Sequence, residues 1–570
     1  MPARSKARPD RAPPESPKDL TALRSVLTQL ALSGLAGVLL FLSAPSYDAW
    51  PLMWLALAPQ LAVAVAARTP KRAFLYGWLT GLVANTVAFS WMDGLLERFG
   101  HMSSLEALPI MLALTAYQGL EFALLSWGLH RACARVGERV PLAVLAPLVM
   151  VTIELAMPQI FPFYLAISQA WVPPLIQVAD LTGPMGVTAL LVAWNGALVD
   201  AWLRRRAGQG MAVALRPLGV ATALVAASLA YGAVRLHQVD VARAAAPKVK
   251  TGLVQANVGI VEKWDPEVFA KLLETHQRIS AELTRAGAEF IVWPESSYSY
   301  ALPRTFAHEF PDGDPRRVRV GFDTPILFGA LTRVDGPPQA MTSPAERYPF
   351  NTAFMMDVQG RVTGKYDKVF LMLFGEYIPF YDSIPWFTKL VPEASNFSRG
   401  SEPASFPLRA RGHDYKLGPL ICYEDILPSF TRRVAELAPN AFVNITNDAW
   451  FGRTSEPYQH LALAVFRAVE NRLEMVRAVN TGVSAHVDAA GRVLARTDSV
   501  DPAQTPDAAP ATLLVDLAML PGGGLYRHVG DLFAFACALA LVALVVRGRG
   551  RRVTTPTGAS NGRKGDDVRS

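Results

Sequence analysis

Three strand-like segments in the second half of the chain are each followed by a polar residue able to do covalent or proton-transfer chemistry. Phe290–Ile291–Val292–Trp293–Pro294–Glu295 reads as a strand halted by proline, which delivers Glu295 just past a sheet edge, where α/β folds place catalytic groups. Gly364–Lys365–Tyr366–Asp367–Lys368–Val369–Phe370 carries Lys368 and leads on to Glu376. Gly418–Pro419–Leu420–Ile421–Cys422–Tyr423–Glu424 reads as a strand turning into a helix, and a cysteine there lies near backbone N–H groups that favour thiolate. Singly, each has an ordinary reading: a solvent-facing loop acid, one more surface lysine, a buried structural cysteine.

Together they make a working set for nucleophilic catalysis. A thiol needs a base for its proton, here Glu295, and a cation for the oxyanion of a tetrahedral intermediate, here Lys368. Glu376 would hold Lys368 in place and keep it charged. Of the three cysteines, Cys133 and Cys537 lie in or beside apolar segments, which leaves Cys422 alone in the polar region, without a disulfide partner or companions for a metal cluster. No role here calls for a metal or an organic cofactor, and none is expected.

The elements that must carry these residues fall into two kinds. A chain of 570 residues exceeds one ordinary core, and its 18% of charged residues lies below the roughly 25% of soluble domains. Apolar segments recur at about 26–45, 50–67, 73–94, 107–129, 141–158, 184–203 and 217–236, each near the roughly 20 residues of a membrane-crossing helix. The segments at 50–67 and 141–158 are the shortest and contain prolines. Basic residues crowd alternate loops: Arg68, Lys71 and Arg72; Arg131, Arg135 and Arg139; Arg204, Arg205, Arg206 and Arg216. By the positive-inside rule this places the N-terminus in the cytoplasm and gives seven crossings. An eighth apolar run, about 529–546, returns the chain to a basic tail. The organisation expected is therefore a disordered basic cytoplasmic tail (1–22), a seven-helix membrane domain (23–240), an extracytoplasmic domain (245–525), a last membrane helix (527–547) and a cytoplasmic tail (548–570).

The net charge of +7 sits largely in tails and loops, which fits membrane topology and argues against a nucleic-acid partner. Asp93, Glu121 and Glu154 are the candidate acids inside predicted spans, too few to suggest an ion pathway. In the polar block, strand-like runs at Val249–Gln255, Glu289–Trp293, Pro325–Ala330, Thr352–Asp357, Leu417–Cys422 and Ala441–Thr446 alternate with helical patterns at about 265–286 and 457–478. That alternation predicts an α/β domain. Asp501–Ala511 reads as a surface loop.

The three chemical segments, in this order, resemble the carbon–nitrogen hydrolase (nitrilase) superfamily, which implies an αββα sandwich with Glu295 as base, Lys368 as transition-state stabiliser and Cys422 as nucleophile. In its membrane setting the chain resembles the apolipoprotein N-acyltransferase family. The matching motifs are Gln255, Asn257 and Lys263–Trp264; Phe374–Gly375–Glu376–Tyr377; Ile421–Cys422–Tyr423–Glu424; Asn447–Asp448–Ala449–Trp450–Phe451–Gly452; Arg467, Glu470, Arg472 and Arg477 ahead of Asn480 and Gly482; and Tyr526–Arg527–His528–Val529–Gly530–Asp531. The resemblance implies transfer of a fatty acyl chain from a membrane phospholipid, through a Cys422 thioester, to the N-terminal amine of diacylglyceryl-cysteine on an apolipoprotein. It places the enzyme in the bacterial inner membrane with its catalytic domain on the periplasmic side.

By the same resemblance Tyr423 and Glu424 support the nucleophile, and Trp264 and Trp450 belong to loops at the substrate entrance, although core or interfacial anchoring would equally account for both tryptophans. Asn447 and Asp448 can simply terminate a strand, His460 reads as structural, and Arg467, Glu470 and Arg472 read as a salt-bridged helix face. Gly259 and Ile260 stand where the family often has Pro and Gln, Leu373 replaces a usual Pro, and Ser296–Ser297–Tyr298 is more polar than expected. These flank the pocket and bear on lipid or acceptor preference. Two other functions stay open: a membrane-tethered nitrilase-type amidase, against which seven leading helices argue, and a non-catalytic lipoprotein-binding membrane protein, against which the intact Glu–Lys–Cys set argues.

Overall fold

The structure is a computed structural model and describes residues 25–259, 267–334, 348–373, 375–377, 396–505 and 508–548. The N-terminal half is helical. Val26–Ser43 starts at Ser25, whose side chain accepts from the Thr28 N–H, a serine cap on an otherwise apolar helix. Among the described residues, Val26–Ser43, Ser104–Val136, Pro184–Arg206 and Arg216–Ala245 are long and apolar enough to cross a membrane, and a bent pair raises the count from four to five. Trp50–Ala66, Leu142–Ala156 and Leu532–Arg547 are apolar but shorter.

The third expected span, 73–94, is not one helix. Pro70–Ala88 stops and Trp91–Gly100 restarts, with a bend of 57° between them. The break has a partner that satisfies it. Gln459, from the α/β region, donates to the Ala88 carbonyl at 3.0 Å and accepts from Trp91 Nε1 at 3.3 Å. Asp93 thereby falls outside the straight helix, where it accepts from Ser104 Oγ at 3.2 Å.

Arg216–Ala245 runs 30 residues and leads, after Ala246 and Pro247, straight into strand Lys248–Gln255. That strand belongs to a sheet in the order Ala511–Ala518, Lys248–Gln255, Phe290–Val292, Ile326–Arg333, Phe350–Met356, Val362–Asp367, with Tyr298–Pro303 also pairing with Ile326–Arg333. A second sheet has the order Val493–Arg496, Ala485–Val487, Glu474–Val479, Ala441–Thr446, His413–Ile421, Phe406–Ala410.

The sheets pack face to face because their strands alternate. Phe290 and Val292 join Val249, Leu253, Ile421, Val443 and Met475 in one buried cluster between the sheets. Their neighbours Ile291 and Trp293 point the other way, onto Leu273, Ile279 and Leu283 of helix Phe269–Arg285. With Glu456–Asn471 and Pro428–Glu436 added, this is a helix–sheet–sheet–helix sandwich. The helix expected over 457–478 ends at Asn471. Arg472 turns left-handed (φ 51°), and Glu474–Val479 is a buried strand.

The helical half and the sandwich share a buried ionic junction. Asp180 accepts from Tyr231 Oη at 2.7 Å, from Arg235 Nε at 2.9 Å and from Arg472 Nη2 at 2.5 Å. Arg472, read from sequence as part of a salt-bridged helix face with Arg467 and Glu470, is salt-bridged, but it caps its helix and its partner is Asp180 of the helical half. Arg467 and Glu470 do pair, at 2.5 Å, but both are fully buried, with Arg467 Nη1 donating to the Ile426 carbonyl.

Candidate active site

Glu295, Lys368 and Cys422, far apart in sequence, come together just beyond the C-terminal ends of strands from the two sheets. Strand Phe290–Val292 is followed by the fully buried Trp293, then Pro294 and Glu295, which is 5% exposed. The chain turns at once, with Ser296 in the left-handed region (φ 47°). Gly329 makes room for that turn, since a Cβ there would lie 2.5 Å from the Ser296 nitrogen and 2.8 Å from Glu295 Cα.

Lys368 follows strand Val362–Asp367 and is pinned at both ends of its peptide: its N–H donates to the Asn351 carbonyl and its carbonyl accepts from the Gly400 N–H, each at 2.8 Å. Its side chain is 1% exposed. Nζ lies 3.2 Å from Glu295 Oε1 and 2.8 Å from the Glu376 carboxylate. Glu376 is fixed in turn by the Met372 N–H, at 2.9 Å. Burial alone would lower the Lys368 pKa, but Cys422, Glu295 and Glu376 outweigh it and hold the ammonium well above its ordinary range.

Asn351, on strand Phe350–Met356, completes this cluster. Its Nδ2 donates to Glu295 Oε1 at 2.6 Å and to Glu376 Oε1 at 3.1 Å, bridging the two carboxylates that flank Lys368. Sequence reasoning missed it. An asparagine within an apolar strand has no distinguishing pattern; only the register, which sets Thr352 opposite Asp367, puts it beside the lysine.

Cys422 ends strand His413–Ile421 and itself adopts φ 52°, a left-handed conformation unusual outside glycine. It opens a five-residue 3-10 turn, Cys422–Ile426, and the following α-helix begins only at Pro428. Burial, reinforced by the Glu295 charge and opposed by Lys368 and His460, pushes the thiol up to about 12. The expected bias toward thiolate is therefore reversed in the resting site, and a proton acceptor is needed.

Glu424 is fully buried and ties this turn to the lysine. Its Oε1 accepts from Tyr366 Oη at 2.6 Å, the Val369 N–H at 2.7 Å and the Phe370 N–H at 3.1 Å, while Oε2 accepts from the Ile421 N–H at 2.9 Å. Burial pushes its carboxyl up to about 7 despite these donors. Tyr423 donates to the Ile160 carbonyl of the helical half at 3.2 Å.

A cavity of about 500 Å³ opens on Cys422. Phe89, Trp91, Phe161 and Phe163 line it from the helical half, and Met372, Phe451 and Leu463 from the sandwich. Trp450 lies beside it in the short turn Asp448–Trp450, its carbonyl accepting from Arg98 Nη1 at 3.4 Å, while Arg98 Nη2 pairs with Asp501 at 2.9 Å. Asp501, expected in a surface loop, is buried by this pairing. Trp264 and Ile260 lie outside the described residues. Strand Ala441–Thr446 ends just before Asn447, as anticipated. Among the described residues, Asp448, Glu456 and His460 bring ligand-type atoms within 4.8 Å of one another beside this cavity.

The family model of the apolipoprotein N-acyltransferase N-terminal domain matches residues 36–197, and that of carbon–nitrogen hydrolases matches residues 250–503. An apolipoprotein N-acyltransferase from Geobacter metallireducens is 33% identical over 525 residues, covering 90% of this chain and 94% of its own. One from Bdellovibrio bacteriovorus is 29% identical over 484 residues, covering 81% and 84%. Among solved structures, an amidase from Nesterenkonia sp. AN1 aligns at a TM-score of 0.34 with 21% identity, over 50% of this chain and 99% of its own.

Proposed function

The chain belongs to the apolipoprotein N-acyltransferase family, and from that premise we propose that it N-acylates lipoproteins through an acyl-Cys422 thioester. The enzyme is an acyltransferase of lipoprotein maturation. The observation that carries the residue assignment is the approach of Lys368 Nζ to Glu295 and Glu376, under a nucleophile that opens into an aromatic cavity.

In the first half-reaction Glu295 takes the Cys422 proton and the thiolate attacks an ester carbonyl of a membrane phospholipid. Lys368 faces the oxyanion that forms. Collapse breaks the carbon–oxygen bond, the departing glycerol oxygen takes the proton back from Glu295, and a lysophospholipid leaves. In the second, the N-terminal amine of a diacylglyceryl-cysteine attacks the thioester carbonyl. Glu295 accepts the amine proton, the carbon–sulfur bond breaks, and the proton returns to Cys422. A thioester reacts with amines more readily than the starting oxygen ester does.

The cavity suits the acyl chain of this intermediate, its walls being mostly aromatic and aliphatic, and an acyl chain seated there would itself limit access of water, the competing nucleophile. Its walls come partly from the helical half, which supports a catalytic domain seated on the membrane. The alternating basic loops support eight spans and a periplasmic catalytic face in the inner membrane. The short apolar helices would then cross with help from their flanking turns.

The test is mass spectrometry of the Cys422 peptide after exposure to a phospholipid of defined acyl chains, followed by a diacylated lipopeptide. An acyl adduct that forms with the first and disappears with the second is expected. No adduct under conditions that give triacylated product would exclude the thioester route.

A further inference from the structure

We propose that His460 is held as an imidazolium and serves as a positioning residue for Cys422, a second buried cation facing the nucleophile in addition to Lys368. The inference rests on Cys422 being the nucleophile. His460 lies on helix Glu456–Asn471, is 5% exposed, and lines the same cavity as Cys422. Its Nε2 lies 2.8 Å from Asp425 Oδ1, and its Nδ1 faces Asp448 Oδ1 at 3.5 Å and Glu456 Oε1 at 3.8 Å. Both ring nitrogens thus face carboxylate oxygens. A neutral imidazole carries one N–H and would turn a lone pair on one of these acids, whereas an imidazolium presents a donor to each side.

The ring's place is set by the nucleophile's own turn. Asp425 stands three residues after Cys422 in the same 3-10 turn and is anchored behind by fully buried Arg477. Asp448 is 1% exposed and neither of its oxygens has a hydrogen-bond partner among the described residues, so the ring is the cation that faces it. The groups around the ring are Cys422, Tyr423 and Asp425 on the turn, Asp448 on its own turn, Glu456 on the same helix, and Arg477 behind Asp425. Burial alone would lower the ring's pKa, but Asp448, Glu456 and Cys422 raise it to about 9. Lys368 comes from one sheet and His460 from the helix packed on the other, so the sulfur meets positive charge from both halves of the sandwich.

The test uses the full-length protein with Cys133 and Cys537 replaced by alanine, so that Cys422 is the single thiol. Iodoacetamide alkylation is followed at a fixed pH near neutrality. H460Q is expected to slow alkylation about tenfold, one pKa unit of lost stabilisation of the thiolate, with the thermal midpoint little changed. H460K restores the charge and is expected to recover most of the rate. H460N repeats the comparison with H460K if H460Q does not fold. Alkylation of H460Q at the wild-type rate, or of H460K as slowly as H460Q, would overturn the proposal. So would one equivalent of a divalent metal in the wild type that is lost in H460Q, because the ion would then supply the charge. A tenfold effect on alkylation in an enzyme that never acylates Cys422 would sustain this inference and sink the acyl-enzyme reading instead.

Discussion

Glu424, two residues after Cys422, accepts a hydrogen bond at 2.7 Å from the backbone N–H of Val369, the residue that follows Lys368. The cysteine turn on one sheet and the lysine strand end on the other are thereby held by a single carboxylate, which fixes the Cys422 turn relative to Lys368. Glu424→Gln puts an amide NH2 against one of four donors and is expected to cut transfer about tenfold to a hundredfold, read as kcat with a fluorescent phospholipid. A stability signature accompanies it. The folded pKa of Glu424, about 7, lies above its unfolded value, so its contribution is full below about 4.5 and fades as pH rises through 7. The gap in thermal midpoint between wild type and Glu424→Gln should shrink from pH 5 to pH 8.

Cys422→Ala should abolish the acyl adduct altogether. Glu295→Gln removes the base and is expected to cost about 10²–10⁴ in transfer. Lys368→Met removes the oxyanion partner, costing about 10²–10³ in rate. It should also lower stability more than Glu295→Gln does, because it leaves two buried carboxylates without their cation. Near-normal turnover in any of the three would remove that residue from the mechanism.

Asn351→Leu preserves strand packing but withdraws the donor shared by Glu295 and Glu376. A fall of about 10-fold to 100-fold in kcat with KM nearly unchanged is expected, since the loss is of alignment and not of lipid binding. A rise confined to KM would count against this role.

Phe163→Trp fills the cavity that opens on Cys422. With donors differing only in acyl length, the variant should lose activity on the longest chains first and keep it on short ones. Equal losses across lengths would mean that the acyl chain lies elsewhere.

Asp180→Ala strands the Arg472 and Arg235 guanidiniums at the junction between helices and sandwich. Breaking a buried ion pair this way costs about 3–5 kcal/mol. The thermal midpoint in detergent should drop by several degrees while the Cys422 peptide remains reactive in the protein that stays folded.

The three residues proposed to react, Glu295, Lys368 and Cys422, could be picked out in the sequence because each follows a strand-like segment, with Pro294 and the turn at Cys422 marking two of the three ends. Their supporting contacts could not. Asn351 is ordinary in its strand, and its role comes from cross-strand register. The helix over 457–478 was overrun because Leu473–Val479 continues the apolar content, while the break depends on Arg472 adopting φ 51° and reaching Asp180. His460, read as structural, is indeed buried and paired, yet it also faces the reactive cavity. The bend after Ala88 depended on Gln459, some 370 positions away, which no local window contains.

Because Phe89, Trp91, Phe161 and Phe163 share one chamber with Cys422, any ruler for acyl-chain length set by that chamber would be split between the helical half and the sandwich. Neither half can be exchanged for that of a cousin without resizing the hole they make between them.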